Sequence, residues 1–328
     1  MSDAERPTVA VLAEVAAAAG YAPSVHNTQP WRWRVADTTL DLYAVRGRQL
    51  PGGDPEGRLL TVSCGAALHH ARIALAAGGW SAEVTRLPDP ADPDHLARIS
   101  SAGRASVTPE ATRLFQAARV RHTDRRPVSD TPASAEAIAA IDRAVRAEDL
   151  EMHLLTRDQI LELAAAASNA DKVEAQDEDQ RRELAYWIGG DRPEGSGIPD
   201  TAIPSRAPET TVPGRDFVRA GTLTVGPGHD RAAAYAVVYG QGDEPADWLR
   251  AGEAVSAGWL TATEAGVTVL PFSSVIELPA TRQTLRDVIS NVGYPYLVLR
   301  LGTAAPDTAG PPRTPRLPVS QTVEVVAD

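Results

Sequence analysis

Two long runs of small and apolar residues, 187 positions apart, constrain this chain more than any other feature. Leu59 to Ala77 and Ala246 to Ala265 each read as a long helix. One is closed by Gly78-Gly79 and the other by Gly266, and strand-like residues follow both. Gly65-Ala66-Ala67-Leu68 and Gly252-Glu253-Ala254-Val255 occupy equal phase, Ile73 then matches Leu260, and Gly79 matches Gly266. Alanine-rich helices can coincide by chance, so this match does not decide the matter alone. The element pattern also restarts near residue 119. Together the two signs suggest two related halves, 8–105 and 119–320.

The remaining elements follow from periodicity. Val9 to Gly20 carries a helical stripe of Val11, Leu12, Val15 and alanines. Trp31 to Val35, Leu40 to Val45 and Ala82 to Leu87 read as strands, with a loop over 46–58 and a turn over 88–94. In the second half, helices are expected over Pro109 to Val120, Ser134 to Arg146, 157–188 and Leu285 to Ile289. Strands are expected at Glu151 to Leu155, Leu223 to Val225, Tyr235 to Tyr239 and Tyr296 to Leu301, with Thr268 to Ser273 extended. Residues 189–216 hold ten glycines and prolines and little apolar pattern. That is too long for an ordinary loop and suggests a lid.

Composition narrows the function classes. Hydrophobic residues make up 43%, enough for a sizeable core, and the net charge of -11 argues against nucleic acid as the main partner. Lys172 is the only lysine beside 31 arginines, so an arginine is informative only inside a motif. Cys64 is the single cysteine and can form no internal disulfide. The N-terminal residues are polar, unlike a signal peptide. No run of about eighteen apolar residues occurs, so no membrane span is expected and the expected compartment is the cytoplasm. Gly226-Pro227-Gly228 lacks the third glycine of a dinucleotide loop, no G-x-S-x-G elbow exists, and the histidines show no metal-binding spacing.

Three stretches carry chemistry. Ala22-Pro23-Ser24-Val25-His26-Asn27-Thr28-Gln29-Pro30-Trp31 joins the first helix to the first strand and packs hydroxyl, imidazole and amide groups between two prolines. It fits either a polar turn or a grip on a flat ligand with hydrogen-bonding edges. Arg121-His122-Thr123-Asp124-Arg125 is either a solvated charge run or an anion site, since two guanidinium groups and a hydroxyl suit a phosphate. Arg313-Thr314-Pro315-Arg316-Leu317-Pro318 in the tail is open to the same two readings.

The joint resembles the A-P-S-x-x-N-x-Q-P-W stretch of the FMN-dependent nitroreductase superfamily, matching at Ala22, Pro23, Ser24, Asn27, Gln29, Pro30 and Trp31. Its His26-Asn27-Thr28-Gln29 form, in a chain of this length, is similar to the single-chain Acg-type branch. Arg121, Thr123 and Arg125 match the family's R-x-[ST]-x-R phosphate signature. The tail resembles its basic C-terminal segment, with Arg313 standing near the usual lysine. Ala251-Gly252, Trp259-Leu260, Ala262-Thr263, Gly266 and Pro271 resemble a family helix and the loop after it.

The resemblance implies an α+β, nitroreductase-like sandwich in which the two halves form a pseudo-dimer. It implies one FMN, with the phosphate held by Arg121, Thr123, Arg125, Arg313 and Arg316. Ser24, His26, Asn27 and Gln29 would line the ribityl or ring edge, and Pro271, Phe272 and Ser273 would run near the ring. It names no catalytic side chain. NAD(P)H would supply hydride through the flavin to a nitro compound, quinone or similar small-molecule acceptor, and the chain would work as a monomer. The alternative within the branch is flavin sequestration under the lid, with little turnover.

Overall fold

The structure, a computed structural model, describes residues 6–305, 310 and 313–326. The polar N-terminal residues read above therefore lie partly outside the described residues, as do 306–309 and 311–312 of the tail.

In chain order the first half contains α1 (Val9–Ala19), β1 (Trp31–Ala36), β2 (Thr39–Ala44), α2 (Arg58–Ala77), β3 (Trp80–Arg86) and β4 (His95–Arg104). Next come α3 (Pro109–Val120), α4 (Ala135–Arg146), β5 (Glu151–Leu154), α5 (Arg157–Gln176) and α6 (Glu178–Gly189). Then follow β6 (Ala234–Gly240), α7 (Pro245–Glu264), β7 (Thr268–Phe272), α8 (Ser274–Glu277), α9 (Pro279–Val288), β8 (Tyr294–Gly302) and β9 (Val323–Val325).

Helix starts follow local chemistry. The Thr108 hydroxyl accepts the Ala111 N–H with Pro109 in the first turn of α3, and Ser134 caps α4 in the same way. Thr156 and Gln159 form a reciprocal capping box on α5. The expected helix over 157–188 is two helices, because the Asp177 carboxylate accepts the N–H groups of Asp179 and Gln180 and starts α6 anew. Both long helices are closed by a left-handed glycine, Gly79 at φ 76° and Gly266 at φ 70°, which sit 187 positions apart.

Two sheets result, one per half. The first has strand order β3-β4-β2-β1-β9 and the second β5-β6-β8-β7. All pairings are antiparallel except β1 with β9, where Trp33 lies opposite Val323. Two expectations need correction. The first sheet is not complete within 8–105, because the tail past residue 320 returns to supply its edge strand. The segment Leu223 to Val225 forms no strand, only a single bridge from Leu223 to Pro204, since the glycines and prolines after it give it no length. Sequence periodicity also missed β4, whose Ser100-Ser101-Ala102-Gly103 end breaks the apolar alternation.

Between the sheets α2 and α7 cross in close contact. A Cβ on Gly65 would lie 2.0 Å from the Leu249 carbonyl oxygen, and one on Gly252 would lie 1.9 Å from the Val62 carbonyl oxygen. Residues 62 and 249 are themselves matched in the 187-residue register, so the contact is reciprocal, as across a two-fold axis. His69 and Ser256, another matched pair, meet through Nδ1 and Oγ at 2.9 Å. Trp31, Trp33, Leu60 and Leu68 fill the core on one side, and Val255, Trp259, Tyr296 and Leu299 fill it on the other. α2 is also the one described helix long and apolar enough to cross a membrane, but 83% of that span is buried inside the protein.

Neither helix can shift without disturbing a backbone, so Gly65→Ala should destabilise the fold by about 1–3 kcal/mol, the usual scale of overpacking. Urea unfolding of the variant and the wild type measures this. An unchanged midpoint would mean that the two helices separate freely.

Candidate functional site

The joint after α1 is held in an unusual backbone. His26, Asn27 and Gln29 adopt φ of 47°, 55° and 48°, the left-handed region that non-glycine residues avoid. Three such residues in four positions store strain that the surroundings must hold in place. The Ser63 hydroxyl on α2 accepts the Val25 N–H at 3.2 Å, and the Ser24 hydroxyl accepts the Gln29 N–H at 2.9 Å.

The two amides of the joint bind protein rather than open space. Asn27 Nδ2 donates to the carbonyls of Gly197 at 3.0 Å and Pro315 at 3.1 Å, while its Oδ1 accepts from Arg316 at 3.3 Å. Gln29 Nε2 donates to the Gly195 carbonyl at 2.9 Å, and its Oε1 accepts the Leu317 N–H at 2.9 Å. Joint, lid and tail are thus clasped together.

Beside this clasp opens a cavity of about 620 Å³. Of the residues singled out from sequence, Ser24, His26, Asn27, Arg121, Thr123, Arg125, Pro271, Phe272, Ser273 and Arg316 all line it. Two do not. Gln29 is 1% exposed and turned into the clasp. Arg313 is exposed, because exposure alternates along the tail: Thr314 and Arg316 face the cavity, and Arg313 and Pro315 face away. Arg313 therefore lies outside the cavity lining. Sequence reading missed Asp171, Arg215, Ser63, Thr314 and the lid residues beyond 216, all of which also line the cavity. Arg215 gave no signal among so many arginines. Trp259 was visible in a motif but read as core.

The electrostatics are lopsided. Arg121 is 6% exposed, lies 4.4 Å over the Trp259 ring, and donates only a long bond to the Tyr21 carbonyl. Arg125 donates to the Ala202 carbonyl at 3.1 Å and lies over Phe217. Arg316 donates to the Gly20 and Tyr21 carbonyls and to Thr314. Among the described residues none of the three pairs with a carboxylate. Burial pushes Arg125 and Arg316 down to about 10 and Arg121 well below its ordinary value, with like charge from Arg215 on Arg125 and from Arg316 on Arg121 adding to the push. Arginine keeps its proton in a protein, so this wall carries positive charge that is partly stripped of water. Burial, then Arg215 and Arg125, hold His26 well below the usual imidazole range, and its Nδ1 has no partner among the described residues. His26 is thus neutral at pH 7.

The loop that presents Arg121 to Arg125 is braced from behind. Arg300 of β8 is 2% exposed, pairs with Asp230 at 2.9 Å, and donates to the carbonyls of Asp124 and Arg126 at 2.8 and 2.6 Å. Asp124 in turn pairs with Arg126 at 2.8 Å.

The matched place across the helix pair is built differently. In the 187-residue register, Trp259 and Ala66 of its wall correspond to Arg72 and Glu253. Glu253 is fully buried and binds Arg72 and Arg86 at 2.7 Å each. Where one face leaves space beside a flat ring, the other is filled by an ion pair.

Because Asn27 clasps lid and tail through four hydrogen bonds, Asn27→Ala should leave the Gly197 and Pro315 carbonyls unsatisfied, a loss of roughly 1–3 kcal/mol. Limited proteolysis should then cut faster within 189–220. Cleavage at the wild-type rate would show that the clasp does not hold the lid.

No family model matches the chain. It is 41% identical over 313 residues to the Mycobacterium tuberculosis H37Rv protein named "Putative NAD(P)H nitroreductase Rv3131", covering 92% of this chain and 88% of that protein. It is 35% identical over 309 residues to "Putative NAD(P)H nitroreductase acg" of the same strain, covering 93% of each. Among solved structures, a nitroreductase with bound FMN from Bacteroides fragilis NCTC 9343 has a TM-score of 0.40 at 14% identity, covering 65% of this chain and 98% of that one. A nitroreductase-type structure from Anabaena variabilis ATCC 29413 has 0.43 at 10%, covering 81% and 69%. The family assignment rests on the two sequence relatives, each of which matches more than nine-tenths of this chain: the chain belongs to the nitroreductase family, in the group that includes the Acg proteins.

Proposed function

We propose that this oxidoreductase holds one FMN in the cavity and uses it to pass electrons from NAD(P)H to a small-molecule acceptor such as a nitro compound or quinone. The observation that carries the reading is the set of three guanidinium groups, Arg121, Arg125 and Arg316, that line the cavity and are pushed down by burial, none of them in an ion pair with a carboxylate among the described residues. The volume of about 620 Å³ suits a ligand of that size. When bound, the flavin would supply hydride transfer at its ring, and the protein would orient it and tune its potential.

The chain's own residues divide the work by position. Arg121, Thr123 and Arg316, with Thr314, would hold the phosphate; the guanidinium groups suit its charge and the hydroxyls add donors. Ser24 and neutral His26 would meet the polar edge of the ring, and Pro271 to Ser273 would flank it. Asn27 and Gln29 act indirectly, by fixing the walls. The two halves supply different parts of the site, which supports reading them as a pseudo-dimer that works as a monomer. The Arg72–Glu253 pair in the matched position supports a single flavin per chain.

A second reading, sequestration of the flavin, draws on the lid. Ile198, Ile203 and much of 204–220 line the cavity, so bound flavin would be covered from that side. Pre-bound flavin reduced rapidly by dithionite and slowly by NADPH would favour this reading, and replacing 192–212 by a short Gly-Ser linker should then speed NADPH reduction. Fast reduction of the wild type, unchanged by the replacement, would favour the reductase.

Heat release and chromatography should recover one FMN per chain. Arg121→Ala should weaken FMN binding by about 2–5 kcal/mol in a titration, and riboflavin binding far less. Equal losses for both ligands would mean that Arg121 does not see the phosphate.

A further inference from the structure

The lid meets the cavity wall in a cluster of charge that the proposed flavin site does not use. Arg215 of the lid donates through Nη1 to both carboxylate oxygens of Glu174 on α5, at 2.8 Å each, and through Nη2 to Glu277 on α8. Its side chain is 11% exposed. Asp171 stands three residues before Glu174 on the same helix, so it lies on the same face. It lines the cavity, yet among the described residues its carboxylate has no hydrogen-bond or ion-pair partner. Asp216 also faces the cluster, with one oxygen accepting the Val218 N–H at 2.8 Å.

One guanidinium thus faces four carboxylates: Glu174 and Glu277, which it binds, and Asp171 and Asp216. Arg125, on which Arg215 acts as a like charge, and Arg121 pair with no carboxylate of this cluster among the described residues, and His26 is neutral. Carboxylates gathered around one guanidinium make ionisation costlier for the member that has no hydrogen bond of its own. Burial first, and then Glu174, Asp216 and Glu277, push Asp171 up to about 7 against the pull of Arg215. An acid in that range exchanges protons readily near neutral pH.

We propose that Asp171 is the proton donor of this site, delivering the proton that accompanies two-electron reduction of a quinone-class acceptor bound in the cavity. The step balances on the reductase reading on which it rests. NAD(P)H would supply the electrons, and bound flavin would pass them on as hydride, so the quinone would gain one hydrogen and two electrons. The second hydrogen comes from Asp171: its O–H bond breaks as an O–H bond forms on the quinone oxygen. Hydroquinone leaves, Asp171 remains as carboxylate, and water at the cavity mouth returns the proton.

The test uses the full chain loaded with FMN, reduced by dithionite and mixed with a soluble naphthoquinone. Ferricyanide, which accepts an electron and no proton, is the control. In the wild type, quinone reoxidation should fall as pH rises through about 7, the range in which Asp171 loses its proton. Asp171→Asn should slow quinone reoxidation by about 10²-fold or more and flatten the pH profile, and leave the ferricyanide rate unchanged. Carbon NMR of aspartate-labelled protein, with or without flavin, should show a carboxyl titrating near neutrality in the wild type and not in Asp171→Asn. Equal slowing with both oxidants, an unchanged quinone profile, or no such carboxyl would overturn the proposal while leaving the reductase reading in place. A wild type that holds no flavin would overturn the reductase reading and this proposal together.

Discussion

The close approach of α2 and α7 is the constraint on which the rest of the molecule depends. Two glycines, Gly65 and Gly252, let the backbones come within a distance that no Cβ allows. Each helix then packs one sheet on its outer side, and the two cores are joined through a shared seam. The cavity sits at one end of this seam, with Val62, Ser63 and Ala66 from α2 and Val255 and Trp259 from α7 in its wall. A shift between the helices would change the shape of the site before it changed either sheet.

The seam is symmetric in its backbone and not in its side chains. On one side a tryptophan and an alanine border an open space; in the matched places an arginine and a glutamate close it. Buried ion pairs add little net stability compared with apolar packing, so the value of this one lies in what it occupies. The open side then gathers positive charge from elements far apart in sequence: the loop before α4, the tail and the lid.

Much of this was legible in the sequence. The 187-residue register picked out the two helices that meet at the seam, and the joint and the R-x-T-x-R stretch supplied one part of the cavity wall. What was not legible depended on direction or distance. Arg313 looked equivalent to Arg316 until the extended tail turned alternate side chains outward. Gln29 had the composition of a ligand contact, but its amide serves the lid and tail. Asp171 and Arg215 carried no local pattern at all, since one stands in a helix of mixed polarity and the other in a glycine- and proline-rich segment. The strand β9 lies at the far end of the chain from its partner, where no periodicity could announce the pairing.

That last pairing sets an order of events during synthesis. Asn27 and Pro315 are bonded across 288 residues, and β1 borders β9 over a similar span. At ribosomal rates of about 5–20 residues per second, the joint waits roughly 15–60 s for the tail that completes it. Throughout that interval the first sheet presents an unpaired edge, the kind of surface that other chains can extend. The anion wall, lacking Arg316, is also incomplete for as long. The nascent protein can therefore close its seam only once α7 has followed α2, and it becomes competent for a ligand later still, when its final strand docks.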